Sequence, residues 1–167
     1  MSTDQFRIRP ATPADSGLIA RHRAEMFRDM GRLADEAAAQ ALHAAAEPEL
    51  RAWLEAGTYL GWLAVPEAKA EEVAGGAGLQ LRALLPRPGK DGRGVARGPE
   101  AYILNVFVER AWRRRGAAGL LMDRVLAHVR QEGFTTISLH ASDEGRPLYE
   151  RLGFRETNEL RLRALSR

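Results

Sequence analysis

At 167 residues, 45% hydrophobic and 28% charged, the chain has the size and apolar content of one domain with a single core. It contains no cysteine, which excludes a disulfide framework, a zinc–thiolate site and a cysteine nucleophile. The net charge of +3 is carried almost wholly by arginine, with Lys69 and Lys90 the only lysines; this mild excess suits an anionic ligand but is not the concentrated basic face of a nucleic-acid binder.

The opening MSTDQFRIRP lacks the apolar stretch of a signal peptide. No run approaches the ~18 apolar residues of a membrane span. The expectation is a soluble cytoplasmic protein with one domain over residues 1–167 and no membrane or nucleic-acid partner. In chain order, residues 6–9 (FRIR) alternate as a strand does. Thr12, Pro13 and Asp15 then read as a helix start, with Thr12 as N-cap, Pro13 at the first helical position and Asp15 closing a capping-box-like arrangement. The helix runs through Leu18, Ile19, His22, Met26 and Met30 and stops at Gly31. Residues 35–54 are alanine-rich and helical by propensity, with an interruption expected near Pro48.

Residues 58–65 (TYLGWLAV) and 73–84 form two strands around a turn at 66–71. The pair Gly76-x-Gly78 invites a dinucleotide-binding reading, which fails because no third glycine follows at the right step and no helix begins there. Glycines within a strand mark a bulge or a close backbone approach. Residues 86–99 are rich in glycine and proline and read as a long hairpin connection or a loop near a site mouth.

Residues 102–108 then form a covered strand of aromatic, aliphatic and β-branched residues. After it comes a polar, cationic turn ending in Arg113, Arg114, Arg115 and Gly116. From there Ala118, Leu121, Met122, Val125 and Val129 recur at three- and four-residue steps, one apolar face of a helix that Gly133 ends. Leaving a strand through this turn exposes several unpaired N–H groups at a positive helix end. Gly116 has no side chain to hold a ligand away from them, and three arginines add charge. This is an anion site suited to a phosphate or pyrophosphate. A strand at 136–140, a short helix within 143–152 and a closing strand pair at 155–157 and 160–165 complete the chain.

Arg113-x-x-Gly116-x-Ala118, between an apolar strand and an amphipathic helix, resembles the acetyl-CoA signature of the GCN5-related N-acetyltransferases, the GNAT superfamily. Downstream, Leu148-Tyr149-Glu150-Arg151-Leu152-Gly153-Phe154 resembles that family's LYxxxGF segment. The close match covers about the last third of the chain, while the opening IRPATPAD agrees in element order. The resemblance implies a mixed α/β fold with a mostly antiparallel central sheet, a splayed strand pair and helices on both faces. It also implies an acetyl-CoA-dependent N-acetyltransferase that moves the acetyl group directly to an amine in a ternary complex. The alternative is a non-catalytic acyl-CoA-binding or regulatory module on the same scaffold.

Carried onto this chain, the resemblance gives backbone contacts to the coenzyme arm at Asn105, Val106, Phe107 and Val108, with the Val106 N–H as oxyanion donor. The diphosphate would sit on the amides of Arg114, Arg115, Gly116, Ala117, Ala118 and Gly119, with charge from Arg113 and Arg114. Tyr149 would protonate the departing thiolate. Ser142 stands where many family members have an asparagine bonding the coenzyme arm. The region between the first two strands would be the acceptor wall, with Arg23, Met26, Phe27, Asp29 and Met30 as candidates to face it. The base stays open among Glu25, Asp29, Glu100, His140 and a water chain, and the acceptor amine is not identified. Homodimers are common in the family, so a homodimer is one expectation.

Other catalytic plans lack their residues. No G-x-S-x-G elbow surrounds Ser16, Ser138 or Ser142. His22, His43, His128 and His140 show no metal-ligand spacing, so no metal is expected, and there is no Walker-type loop. Binding of nucleic acid through residues 110–115 is disfavoured by the shortness of the run and by Glu109 beside it.

Overall fold

The computed structural model describes residues 6–89 and 91–160. Strand β1 (Phe6–Pro10) leads into a single 3-10 turn (Pro13–Asp15) and helix α1 (Ser16–Asp29). The start of this helix is pinned as its sequence requires. Asp15 accepts the Thr12 N–H at 2.8 Å and both terminal nitrogens of Arg9 at 2.8 and 2.9 Å. The Arg9 bonds hold its carboxyl at about 2, outweighing partial burial.

Helix α2 (Glu36–Ala56) is capped by Asp35, which accepts the Ala38 N–H at 2.8 Å. It continues through Pro48, where an interruption was expected. Proline removes one main-chain bond. Past that point Leu50 packs with Ile19 and Ala20 of α1, and this burial carries the helix onward.

Strands β2 (Tyr59–Pro66) and β3 (Gly75–Arg82) follow, then a small ribbon of β4 (Arg87–Pro88) and β5 (Val95–Ala96). The 86–99 segment is therefore a hairpin. Arg87 ties it to Thr136, Nε to Oγ1 at 3.0 Å, beside the start of the next strand rather than over the cationic turn. Strand β6 (Glu100–Val108), a 3-10 turn (Arg110–Trp112) and helix α3 (Ala117–Gln131) come next. Strand β7 (Ile137–Leu139) and the short helix α4 (Arg146–Arg151) are the last regular elements among the described residues. Residues 155–157 are irregular rather than the expected strand, and the expected strand at 160–165 lies beyond Leu160 outside the described residues.

The sheet order is β1-β2-β3-β6-β7, antiparallel except for the parallel β6–β7 pair that α3 connects. Helix α3 covers one face, where Leu121, Met122, Val125 and Val129 pack on Trp62, Leu79 and Ile103. The other face carries α1 and α2, with Ile19 and Leu50 against Tyr59 and Leu63. Alternation along each strand therefore assigns every side chain to the α3 side or the α1 side.

Two irregularities set up the site. The β3–β6 register slips between Gly76 and Gly78, and Asn105 at that bulge has φ 54°. The β6–β7 ladder ends at the pair Ile103–Leu139, so the rest of β6 leaves its β7-side edge uncovered by that strand. The β3 glycines serve close approach, as their placement in a strand suggests. A Cβ at Gly78 would overlap the hydroxyl end of the Tyr59 side chain.

Candidate active site

The Glu109 N–H donates to Ala74 O at 2.8 Å across the β3 side. Two residues earlier, Phe107 faces Gly76 of β3 in the ladder. By strand alternation, the amides of Val106 and Val108 point to the opposite edge, past the end of β7. Val106 and Leu139 pack into the same apolar cluster as Tyr149, so the gap and the phenol share one neighbourhood.

Tyr149 is 9% exposed, on α4, edge-on to Phe154 at 6.1 Å between ring centroids. Burial alone raises its pKa to about 12. The phenol is therefore protonated throughout the neutral range. Ser142 Oγ accepts the Gly145 N–H at 3.1 Å and so braces the turn into α4. Its main-chain carbonyl takes the Arg146 N–H at 2.9 Å.

The turn before α3 contains two left-handed residues, Arg114 at φ 62° and Gly116 at φ 90°. A non-glycine residue held in this region costs on the order of 1–3 kcal/mol, and such outliers cluster at ligand-binding turns. Gly116 is the N-cap of α3 and provides no side chain to cap it. The amides of the first turn, Ala117, Ala118 and Gly119, thus have no partner within the helix. A Cβ at Gly116 or Gly119 would meet nothing within 4 Å, so the main chain lies open on these sides. An anionic group fits this surface.

The arginines divide. Arg113 turns back toward α1: its Nε donates to Val108 O at 2.9 Å, and its terminal nitrogen pairs with Asp29. Arg110 pairs with the same carboxylate at 2.6 Å. Burial would raise Asp29, but the bonds from Arg110 and Arg113 outweigh it and hold the carboxyl below its usual range. Arg115 lies over the Trp112 ring at 5.1 Å.

On the α1 side, Asn105 is buried between two groups. Its Oδ1 accepts from Arg23 at 2.8 Å, and its Nδ2 donates to the Tyr59 hydroxyl at 3.2 Å. Tyr102 bonds His140 and carries the Arg82 guanidinium 3.2 Å above its ring. Tyr59, Gln80, Tyr102 and Ser138 stand in register across four strands, so they share this face. Neither Arg82, Tyr59 nor Tyr102 stands out in the sequence. Their juxtaposition comes from the register of separate strands, which no local motif encodes. The four base candidates all have partners: Glu25 with Arg28, Asp29 with Arg110 and Arg113, Glu100 with Ser138, and His140 with Tyr102.

His22 is fully enclosed, its Nε2 3.1 Å from Glu109 and its ring 5.1 Å from Phe107. Burial and the charge of Arg21 lower its pKa to about 4, so the imidazole is neutral and donates to Glu109. An open cleft of about 550 Å³ runs between α1 and the Glu109–Trp112 stretch. It is lined by mixed charges, including Arg21, Glu25 and Glu72, and touches neither Tyr149 nor the start of α3. Among the described residues no cluster of His, Asp or Glu could hold a metal ion, and no helix is long and apolar enough to cross a membrane.

This arrangement has known counterparts. The chain resembles a GCN5-related N-acetyltransferase from Ralstonia eutropha JMP134 with 31% identity and a TM-score of 0.82, over 96% of this chain and 99% of the other. A predicted acetyltransferase from Clostridium acetobutylicum, solved with acetyl-CoA, has 23% identity and a TM-score of 0.76, over 95% and 96% of the two chains. An aminoglycoside acetyltransferase from an uncultured soil metagenomic sample shares the fold at 20% identity and a TM-score of 0.66, over 97% and 99%. No curated protein matches. The profile of the Acetyltransferase (GNAT) family matches residues 26–154, most of the chain and all of the splayed strand, turn and tyrosine described above, and the chain therefore belongs to that family.

Proposed function

We propose that the protein is an acetyl-CoA-dependent N-acetyltransferase in which the amine attacks the thioester directly within a ternary complex. The observation that carries this reading is the pairing of the uncovered β6 edge beyond Ile103 with the uncapped first turn of α3 behind left-handed Gly116. The coenzyme supplies an activated acetyl group as a thioester.

The protein's own part is binding, orientation and proton handling. Amides from Arg114 to Gly119 hold the diphosphate, where each favourable anion–helix contact is worth roughly 0.3–1 kcal/mol. The Val106 N–H donates to the oxygen on which negative charge develops. Asn105, Phe107 and Val108 continue the strand beside the coenzyme arm. Ser142 holds the turn that carries α4 and thereby Tyr149. The Tyr149 hydroxyl donates to the leaving sulfur. A buried phenol near 12 is a weak acid, but the same dry surroundings also raise the pKa of the thiol. Its proton is then drawn only as charge accumulates on sulfur. Arg113, held by Asp29 and Val108 O, fixes the turn's geometry and adds positive potential to it.

Calorimetry with acetyl-CoA tests the reading directly. Saturable binding to the folded protein, followed by acetylation within a broad amine panel, is expected. Absence of binding overturns it, and binding without acetylation of any amine would mark a regulatory module instead.

A further inference from the structure

The α1 side of β6 holds two guanidinium groups that form no ion pair among the described residues. The neighbouring arginines of α1 and the turn after β6 are paired with acids: Arg21 with Glu109, Arg28 with Glu25 and Glu36, Arg110 and Arg113 with Asp29. Arg23 and Arg82 form no ion pair among the described residues. Arg23 bonds a neutral amide oxygen, Asn105 Oδ1, and lies 4.9 Å over Phe27. Arg82 bonds Gln80 Oε1 at 3.1 Å and lies over Tyr102. Glu100 faces Arg82 across the register, yet it accepts the Ser138 hydroxyl at 2.6 Å.

Holding a cation partly out of water beside neutral dipoles is unfavourable unless a negative partner arrives. Arg23 is half-buried, and burial lowers its pKa from the ordinary value. The Arg82 guanidinium lies over Tyr102, the residue that also bonds His140 where β6 and β7 part, and Arg23 lies within electrostatic range of the same phenol. Arg23 also bonds Asn105 at the bulge, one residue from Val106. A guanidinium is a planar fork of donors that matches anionic oxygens.

We propose that Arg23 and Arg82 bind an anionic oxygen group of the acceptor, so that the acceptor is a small amine bearing a carboxylate or a phosphate close to its amino group. The Arg23–Asn105–Tyr59 chain fixes the depth of that group, and the amine then reaches the gap beside Val106. This rests on the acetyltransferase reading above.

The test uses the whole protein and amines in matched pairs. One series sets amino acids against their amides. A second sets aminoalkyl phosphates against the corresponding amino alcohols. Acetyl-CoA binding is measured first by calorimetry, and its absence overturns both readings. Given binding, the anionic member of at least one pair should show the higher kcat/KM, and the series that responds identifies carboxylate or phosphate. In Arg23→Gln, and separately in Arg82→Gln, the anionic-to-neutral ratio should fall roughly 10- to 100-fold, as loss of a bond to a charged group predicts. Acetyl-CoA affinity should stay within about threefold, which also shows that the variant is folded. Equal or better turnover of the neutral members, or no turnover of any anionic amine, overturns the proposal and leaves the acetyltransferase reading intact. A ratio unchanged in both variants overturns it as well.

Discussion

On the α3 side of β6 the groups proposed to act are main-chain amides and one phenol, whereas on the α1 side they are side chains drawn from α1 and three strands. The first set depends on local chain geometry: an uncovered edge, a left-handed glycine, an uncapped helix start. The second depends on register between segments far apart in sequence, such as Tyr59 with Asn105 and Tyr102 with His140. A backbone site tolerates side-chain change and so suits a ligand common to a family. A side-chain site changes with each substitution and so suits a ligand peculiar to one member.

Tyr149→Phe gives the sharpest test of this division. It removes one hydroxyl and little else. If Tyr149 is the acid on the coenzyme side, kcat should fall ~10²–10⁴-fold by the same factor for every acceptor. Acetyl-CoA affinity should stay within about threefold. A loss that varied with the acceptor would move Tyr149 to the other side of the comparison. Because burial raises the phenol to about 12, the wild-type rate should show no falling limb from this group below about pH 11 in a pH–rate profile.

The next effect is on stability and belongs to the α1 side. His22 is depressed from 6.5 to about 4 in the folded protein. The unfolded chain therefore binds the extra proton between these values, and stability falls as pH drops through that window. Above pH 6.5 the contribution is fully present; by pH 4 it is largely lost, to the extent of roughly 3 kcal/mol at most. Urea unfolding at stepped pH measures it. His22→Phe, which cannot titrate, should remove that part of the acid sensitivity. Curves of equal slope for both proteins would show that the ring is not what responds.

What the sequence made legible follows the same line. The anion turn could be read because glycine, arginine and a change of period lie within a dozen residues, and each has a local physical meaning. The fold class came from the resemblance of the segments at Arg113–Ala118 and Leu148–Phe154 to the GNAT family, with the order of strand and helix patterns in agreement. Pro48 misled because propensity cannot register the tertiary contacts of Leu50 with α1 that carry the helix past it. The loop at 86–99 was ambiguous until Arg87 found Thr136, a contact 49 residues away. Arg82 and Tyr102 were invisible because a strand sequence shows which residues share a face but not which strand is next to it.

Gly78→Ala probes the register that builds the α1 side. Its Cβ would overlap the Tyr59 hydroxyl, so the ring must move and leave Asn105 Nδ2 without its acceptor. A loss of roughly 1–3 kcal/mol in urea unfolding is expected, as for other overpacked sites. Turnover should fall with the acceptor's KM rising, while acetyl-CoA affinity is kept. Equal loss of coenzyme affinity would mean that the bulge serves both sides.

Asp29→Asn asks whether the two sides are linked, and the expected effect is the smallest. Asp29, at the end of α1, holds Arg113 of the anion turn and Arg110 beside it. The Arg110 side chain is 71% exposed, so water screens that half of the pair, while Arg113 at 32% is better sheltered. The better sheltered Arg113 pair alone justifies a loss of up to ~1 kcal/mol in urea unfolding. Arg113 keeps a second anchor through its Nε bond to Val108 O at 2.9 Å, so the turn should hold its shape. Coenzyme affinity, measured by calorimetry, should then stay within about threefold. Binding that tightens tenfold or more and becomes steeper in salt would instead make Arg110 and Arg113 diphosphate ligands restrained by Asp29. In that case occupancy of the coenzyme site would loosen the end of α1, and the acceptor wall would respond to the coenzyme through one carboxylate.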